Sequence, residues 1–320
     1  MSPRGRIFSL VALAAVVASG VVVIGVLATR STVPTTKPRP GRPPLALDLG
    51  VRTDAEANAL RRAATLYHNG DPKQAARLFD RYRSLEAQVG SAFARWPSNS
   101  VTRLQTLAAE HPGSSLVALH LGLALYWSHR DAEAVTAWRA AKSLQPDTPY
   151  AVSASDFLHP QFAPRLPVFV PSFETPLGLR VLAPPQQLSA LARAAARGGK
   201  HALILYGVAL QKLGRPRSAE REFAAAARNA PRDPEARAAA AVGLFDKDNP
   251  SLAFSRLGPL VRVFPHAQTV RFHLGLLLVW IAQVDRARQE LRRVKAEDPR
   301  SALGRQAAAY LAALRGVGTR

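Results

Sequence analysis

A repeat period of 34 residues constrains the fold of this chain more than any other feature. Pro231, Pro265 and Pro299 are 34 residues apart, and Pro112 and Pro146 have the same spacing. The period recurs for small residues and for large apolar residues four positions later: Ala219, Ala253 and Ala287; Phe223, Leu257 and Leu291. Such a period indicates two-helix units, each too small to bury its own apolar face, that stack on one another.

Two octets support the same interpretation. HLGLALYW at 120–127 and HLGLLLVW at 273–280 agree at six of eight positions. A glycine in the first helix of a hairpin allows the second helix to approach closely, and an alanine in the second helix does the same from the other side. Proline then ends the unit, because it cannot continue a helix.

The pattern of Leu-Gly, Ala, a large apolar residue and Pro at this period resembles the tetratricopeptide repeat (TPR). The residues that carry the resemblance are Gly122, Ala134, Trp138, Pro146, Gly207, Ala219, Phe223, Pro231, Ala253, Pro265, Gly275, Ala287, Leu291 and Pro299. It implies an all-α solenoid of helical hairpins over most of 54–315. A generic Ala-rich helical bundle is the alternative fold.

The periodicity predicts a helix list for this region. We expect helices near 54–69, 72–95, 99–111, 114–128, 131–144, 186–197, 200–213, 216–229, 233–246, 249–263, 267–282 and 285–297, and a capping helix near 301–314. Start signals support the list, because Asp71-Pro72, Asp233-Pro234 and Asn249-Pro250 place a capping side chain before a first-turn proline.

The N-terminus predicts a membrane segment. A basic segment, 1–6, precedes an apolar run of 22 residues without charge, 7–28. About 20 such residues span a bilayer as a helix, so we expect a single transmembrane anchor. A cleaved signal peptide is the alternative, because Val26-Leu27-Ala28 resembles a cleavage site. Residues 29–47 are rich in Pro and Thr and predict an extended linker that holds a domain off the membrane.

A proline-rich interruption divides the helical region into two blocks, 48–146 and 186–320. The intervening insert, 147–185, contains eight prolines and cannot form one continuous helix. Its Phe, Leu and Val content is too high for a solvated linker. We expect extended or short-strand structure docked on the helices, which either shapes a binding surface or only packs against a repeat.

Composition and motifs exclude several function classes. The chain has no Cys, so disulfides, thiolate nucleophiles and Cys-based zinc sites are impossible. No phosphate-binding loop, dinucleotide fingerprint, HExxH or GxSxG motif is present, so we expect no enzyme, metal or cofactor. The net charge of +21 would attract an anionic partner, but the basic residues are scattered, so nucleic acid is a weak alternative.

The TPR resemblance implies a function in protein binding. Family members bind partners on the concave face formed by the first helices, which maps to Leu119, Leu123, Tyr126, Trp127, Ile204, Val208, Lys212, Phe245, Phe272, Leu276 and Trp280. This lining is apolar and would suit a partner's extended or helical segment, or the chain's own insert. The sequence therefore predicts a membrane-anchored scaffold, its repeats outside the cytoplasmic membrane, with an accessory subunit of an envelope enzyme or transport machine as the alternative.

Overall fold

The computed structural model describes residues 39–315, and every regular element in that range is helical. The first group of helices is α1 (Ala55–His68), α2 (Pro72–Phe79), α3 (Leu85–Ala94), α4 (Ser100–Glu110), α5 (Ser115–Trp127), α6 (Asp131–Leu144) and α7 (Pro149–Leu158). The second group is α8 (Leu177–Arg180), α9 (Pro184–Ala196), α10 (Lys200–Lys212), α11 (Pro216–Asn229), α12 (Pro234–Gly243), α13 (Ser251–Leu257), α14 (Leu260–Val263), α15 (Gln268–Trp280), α16 (Val284–Glu297) and α17 (Ala302–Ala313).

These helices form two compact units, an N-terminal unit that ends at Leu158 and a C-terminal unit that begins at His159. In each unit consecutive helices pack as hairpins, and the first helix of one hairpin also contacts the first helix of the next. The first helices are α1, α3, α5 and the terminal α7 in one unit, and α10, α12, α15 and the terminal α17 in the other. This stacking of two-helix repeats confirms the predicted all-α, TPR-like architecture.

Glycine in the first helix explains how closely each hairpin can pack. A Cβ built on Gly122 would lie 2.4 Å from the Trp138 ring, and one on Gly207 would lie 2.4 Å from the Phe223 ring. At Gly275 the nearest atom, of Leu291, is 3.0 Å away. The repeat alanines, such as Ala134, are fully buried. The period thus places a large side chain of the second helix over a bare patch of backbone on the first.

Two of the three predicted helix starts have the expected cap. The Asp71 carboxylate accepts the Gln74 N–H at the start of α2, and Asp233 accepts the Ala236 N–H at the start of α12. At the third start, Pro250 itself is the capping residue of α13 and Asn249 lies one position outside. An acceptor side chain before proline therefore fixed the start in the first two cases only.

The helix list differs from the sequence prediction in several places. The helix predicted over 249–263 is divided into α13 and α14 at Gly258-Pro259, since Pro259 has no N–H to continue the helical hydrogen bonds, and the predicted insert contains the short helix α8. The helix predicted over 72–95 is two helices, because residues 80–84 form a turn and Ser84 caps α3 through the Ala87 N–H. Residues 149–158, which the sequence assigns to the insert, form helix α7 and not extended structure. Pro149 is tolerated because it is the first residue of the helix, and the next proline, Pro160, lies beyond its end. The N-terminal block therefore continues past 146 to Leu158.

The predicted linker also needs correction. Residues 39–47 belong to a docked segment in which Pro43 and Leu45 are buried. The predicted anchor, 7–28, lies outside the described residues. Within 39–315 no helix is long and apolar enough to cross a bilayer.

Candidate functional site: two grooves and the straps they hold

An extended segment lies on the first helices of the N-terminal unit. We call residues 39–50 strap 1 and the helical surface beneath it, formed by α1, α5 and α7, groove 1. The Arg39 N–H donates to the Trp127 carbonyl at 2.7 Å, and the Ala46 N–H donates to His120 Nε2 at 3.2 Å. Between them the Tyr67 hydroxyl donates to the Pro43 carbonyl at 2.6 Å. The backbone of strap 1 is thus bound at both ends and in the middle.

Side chains hold strap 1 as well. Leu45 and Leu49 are 4% and 6% exposed, so nearly all of their apolar surface lies against the helices. The Arg39 guanidinium lies 3.4 Å from the centre of the Tyr126 ring and pairs with Asp131 at 2.8 Å. A cation over an aromatic face contributes roughly 0.5–2 kcal/mol, depending on its exposure.

The C-terminal unit holds a second extended segment in the same way. We call residues 163–174 strap 2 and the surface beneath it, formed by α10, α12 and α15, groove 2. The Ala163 N–H donates to the Trp280 carbonyl at 3.2 Å, and the Val170 N–H donates to His273 Nε2 at 2.9 Å. The Gln211 side chain donates to the Pro167 carbonyl at 3.3 Å and accepts the Phe169 N–H at 2.8 Å.

Strap 2 makes further contacts of its own. The Phe169 ring is 1% exposed and stacks on His273 with ring centres 4.1 Å apart. The Lys247 ammonium donates to the Ala163 carbonyl at 2.6 Å, and the Trp280 indole N–H donates to the Arg165 carbonyl at 3.3 Å. Glu235 accepts the Ser172 N–H at 2.5 Å, and burial raises the pKa of this carboxyl.

The two straps are bound in the same register. In each, the N–H bound by the tryptophan carbonyl and the N–H bound by the histidine are seven residues apart, 39 to 46 and 163 to 170. Prolines occupy the same places, 40 and 43 in strap 1 and 164 and 167 in strap 2. The residue after the first proline has a positive φ in both, 86° at Gly41 and 62° at Arg165. The repeated octets thus mark two copies of one groove.

The histidines in the grooves are neutral acceptors. Their Nδ1 atoms donate to carbonyls one helical turn earlier, from His120 to Leu116 at 2.7 Å and from His273 to Thr269 at 2.6 Å. That tautomer leaves Nε2 with a lone pair for the strap N–H. Burial lowers the pKa of His120 to about 4 and that of His273 to about 3. Both imidazoles are therefore uncharged at neutral pH.

The structure places most of the predicted groove residues inside the two cores. Nine of the eleven are buried: Leu119, Leu123, Trp127, Ile204, Val208, Phe245, Phe272, Leu276 and Trp280. Tyr126 is partly buried beneath Arg39, and Lys212 is exposed. Trp127 and Trp280 contact straps directly, as do His120 and His273. Partner binding by these residues stays a prediction.

Sequence reasoning missed the straps' equivalence. The sequence allows the insert as an occupant of the groove, and 163–174 does occupy groove 2. The predicted boundaries divide residues 39–50 between a linker and a helical block. The usable signal was the pattern P-x-x-P followed by alternating apolar residues, which occurs in both segments ahead of the matching octets.

Fold and site together define a class: a two-unit helical-repeat protein of TPR-like hairpins that holds extended segments of its own chain. No family model matches the chain, and no curated protein matches it. Among solved structures, a double mutant of MamA RS-1 is 14% identical, with 77% of this chain and 97% of that chain covered and a TM-score of 0.26.

Two further solved structures resemble the chain to a similar degree. Yeast Tom70 is 11% identical over 86% of this chain and 67% of its own, with a TM-score of 0.31. The C-terminal part of a TPR repeat-containing protein from Cytophaga hutchinsonii is 13% identical over 78% of this chain and 98% of its own, with a TM-score of 0.27. At these TM-scores the repeat assignment rests on the chain's own hairpins.

Proposed function

We propose that this protein is an interaction scaffold whose stacked first helices bind extended polypeptide segments. One observation carries the proposal: two separate grooves bind the backbone of an extended, proline-containing segment at both ends and bury its apolar side chains. Main-chain hydrogen bonds supply affinity for any extended chain, and the apolar pockets between them supply selectivity.

Binding fits the chemistry of the grooves better than catalysis does. Both nitrogens of His120 and of His273 are occupied by hydrogen bonds, so neither imidazole is poised to accept a proton from a substrate. Among the described residues no group of three His, Asp or Glu side chains could hold a metal ion.

Membrane attachment is a further part of the proposal. The apolar run 7–28 is its support, with the repeat units placed outside the cytoplasmic membrane. The ten residues 29–38 separate that run from Arg39 of strap 1. An extended chain of this length reaches roughly 35 Å, so the N-terminal unit would remain close to the bilayer surface.

Site-specific photo-crosslinking in intact membranes tests the scaffold function. A photoreactive amino acid at Ala46, which is exposed on strap 1, should yield a discrete adduct with a partner protein. The control places the same group at Thr136, which is exposed on α6, a second helix of a hairpin. A partner captured only at position 46 supports binding on the face of the N-terminal unit that carries strap 1. Equal labelling at both sites, or none at either, would count against it.

A second candidate function is an accessory subunit of a larger envelope assembly, contacted by the insert. Three apolar residues after strap 2 favour it: Leu177, Val181 and Leu182 are 66%, 73% and 37% exposed. Changing Leu177 and Val181 to Ser should then release the partner assembly while leaving the fold intact, since neither side chain is buried. Retention of the assembly by this variant would exclude the insert as the contact.

A further inference from the structure

We infer that both grooves recognise one sequence pattern, P-x-x-P-x-Φ-x-x-x-Φ with Φ a large apolar residue, and that groove 1 is a docking site for a partner segment of this pattern, which takes the place of strap 1. The inference rests on the proposed scaffold function and specifies its ligand. The aligned residues are Pro40, Pro43, Leu45 and Leu49 in strap 1, and Pro164, Pro167, Phe169 and Phe173 in strap 2.

Both grooves bind the middle of the pattern in the same way. The carbonyl of the second proline accepts a side-chain donor from the first helix of a hairpin, Tyr67 or Gln211. The apolar residue two positions later is buried in both units, at 4% exposure for Leu45 and 1% for Phe169. The next N–H is bound by a histidine. Prolines fit because their positions need no N–H donor, and they favour an extended backbone before binding.

Groove 1 is less completely satisfied by its occupant than groove 2. Trp280 donates its indole N–H to a strap carbonyl, whereas the indole N–H of Trp127, a side chain only 5% exposed, has no hydrogen-bond partner among the described residues. One nitrogen of the Arg39 guanidinium is also buried without a hydrogen-bond partner among the described residues. A buried donor without an acceptor destabilises the bound state of the strap.

Strap 1 also places a smaller side chain at its central apolar position. Its main apolar residue is Leu45, where strap 2 inserts Phe169 and stacks it on His273. Each strap has further side-chain contacts: Asp131 and Tyr150 bind strap 1, and Lys247 and Glu235 bind strap 2. A segment that supplies an acceptor to Trp127 and a larger apolar side chain would therefore bind groove 1 more completely than strap 1 does. This argues for exchange at groove 1 and a permanent strap at groove 2.

A covalently attached strap competes strongly with a separate segment. A tethered segment acts at an effective concentration on the order of millimolar, so a free peptide must bind well or be abundant. Weakening the strap should therefore expose the groove. The variant Leu45→Asp in the full-length chain places a charge where an apolar side chain is buried, and should raise the affinity for an added peptide at least roughly tenfold.

A spin label measures the exchange directly, because the chain contains no Cys and a single introduced Cys is unique. Ala46→Cys is suitable since residue 46 is exposed. In the full-length protein in detergent, the label should be immobilised. Adding a synthetic peptide with the sequence of strap 2, which has Phe at the buried apolar position, should mobilise it, whereas the same peptide with Asp at that position should not. A label that stays immobile at millimolar peptide would overturn exchange.

Two further outcomes would also overturn the inference. A label that is mobile without peptide would mean that strap 1 does not occupy groove 1. Dimers in light scattering that Leu45→Asp abolishes would identify a second copy of this chain, and not a partner, as the occupant. None of the three results by itself removes the scaffold function, which fails only if photo-crosslinking captures no partner specifically at position 46.

A chimaera tests the shared pattern without weakening the fold. Replacing residues 39–50 by the sequence of 163–174 keeps every position of the pattern, and should keep the thermal midpoint within a few degrees of the parent. Shuffling the same twelve residues so that the prolines and apolar positions move should lower it clearly. Equal midpoints for the two chimaeras would refute pattern recognition.

Discussion

At the scale of single residues, the hairpins depend on positions where a side chain is absent. Gly122 and Gly207 each lie under an aromatic ring of the facing helix, at a distance that excludes even a methyl group. These helical glycines have ordinary backbone angles, so their role is close packing and not conformational freedom. The histidines of the grooves are the other decisive residues, since each must stay neutral to accept a strap N–H.

Gly122→Ala should destabilise the protein by about 1–3 kcal/mol, because the new Cβ would overlap the Trp138 ring in a packed core. Urea unfolding followed by circular dichroism measures the change. The matched control is Gly113→Ala, since a Cβ at Gly113 meets nothing within 4 Å. Similar losses for both variants would show that the close approach at Gly122 is not what limits packing.

Stability should fall as the pH is lowered from about 6.5 toward 4. The pKa of His120 is about 4 and that of His273 about 3 in the fold, both below the unfolded value of about 6.5, so the unfolded chain binds more protons in this window. Each histidine then contributes a loss of about 2 kcal/mol between pH 6.5 and 5, and its contribution is fully present above 6.5.

Unfolding free energies of the wild type and of His120→Gln at pH 7 and pH 5 check this sign. The variant should have a lower unfolding free energy at pH 7, because a buried amide replaces an imidazole that makes two hydrogen bonds. Its unfolding free energy should depend less on pH than that of the wild type. A variant with the wild-type pH dependence would exclude His120 as the titrating group.

At the scale of elements, the extended straps complete the helical units. The first helices leave an apolar face with polar acceptors at fixed places, and each strap covers that face with side chains and backbone donors. A strap without regular secondary structure gains its order from the helices beneath it. Its stability should therefore depend on a few buried side chains more than on its backbone propensity.

Leu45→Ala should loosen strap 1 without unfolding the helices, since removal of a buried leucine side chain costs about 2–5 kcal/mol. Hydrogen exchange at the Ala46 and Asp48 amides, which donate to His120 and to the Tyr150 hydroxyl, should accelerate roughly thirtyfold for each 2 kcal/mol lost. Exchange in α10 of the C-terminal unit is the internal control and should not change. Unaltered exchange at both strap amides would mean that Leu45 does not anchor the strap.

At the scale of the whole molecule, the chain combines two related units with a strongly basic composition. Lys and Arg number 43 against 22 Asp and Glu, so at a membrane a nonspecific attraction to anionic lipid would add to the proposed anchor, 7–28. The two contributions respond differently to salt, since ionic attraction is screened whereas an inserted helix is not.

The full-length chain should remain with the membrane fraction after a high-salt wash and be extracted only by detergent. Deletion of 7–28 should move it to the supernatant in high salt. Immunoblots of both fractions measure the distribution, with the undeleted chain as the reference. Release of the undeleted chain by salt alone would leave charge as the membrane attachment and would eliminate the anchor.

The order of the helical hairpins could be predicted from the sequence because its physical causes are local. Proline ends helices, Asp71 and Asp233 cap them, and the spacing of small and large apolar residues defines which faces meet. The break at 80–84 was missed, since the apolar periodicity runs through it and only Ser84 marks the new start.

The segments that occupy the two grooves could not be predicted from the helical repeat pattern. Trp127, His120, Trp280 and His273 mark the two grooves in the sequence, but the backbone that binds them comes from residues 74 to 117 positions earlier in the chain. The sequence of an extended segment has no periodicity that identifies the residues it will bind, so the position of each strap depends on tertiary contacts. Sequence alone determined the repeat and its apolar faces, because these follow from side-chain spacing along one helix; tertiary structure decided what covers them, because that depends on contacts between distant segments.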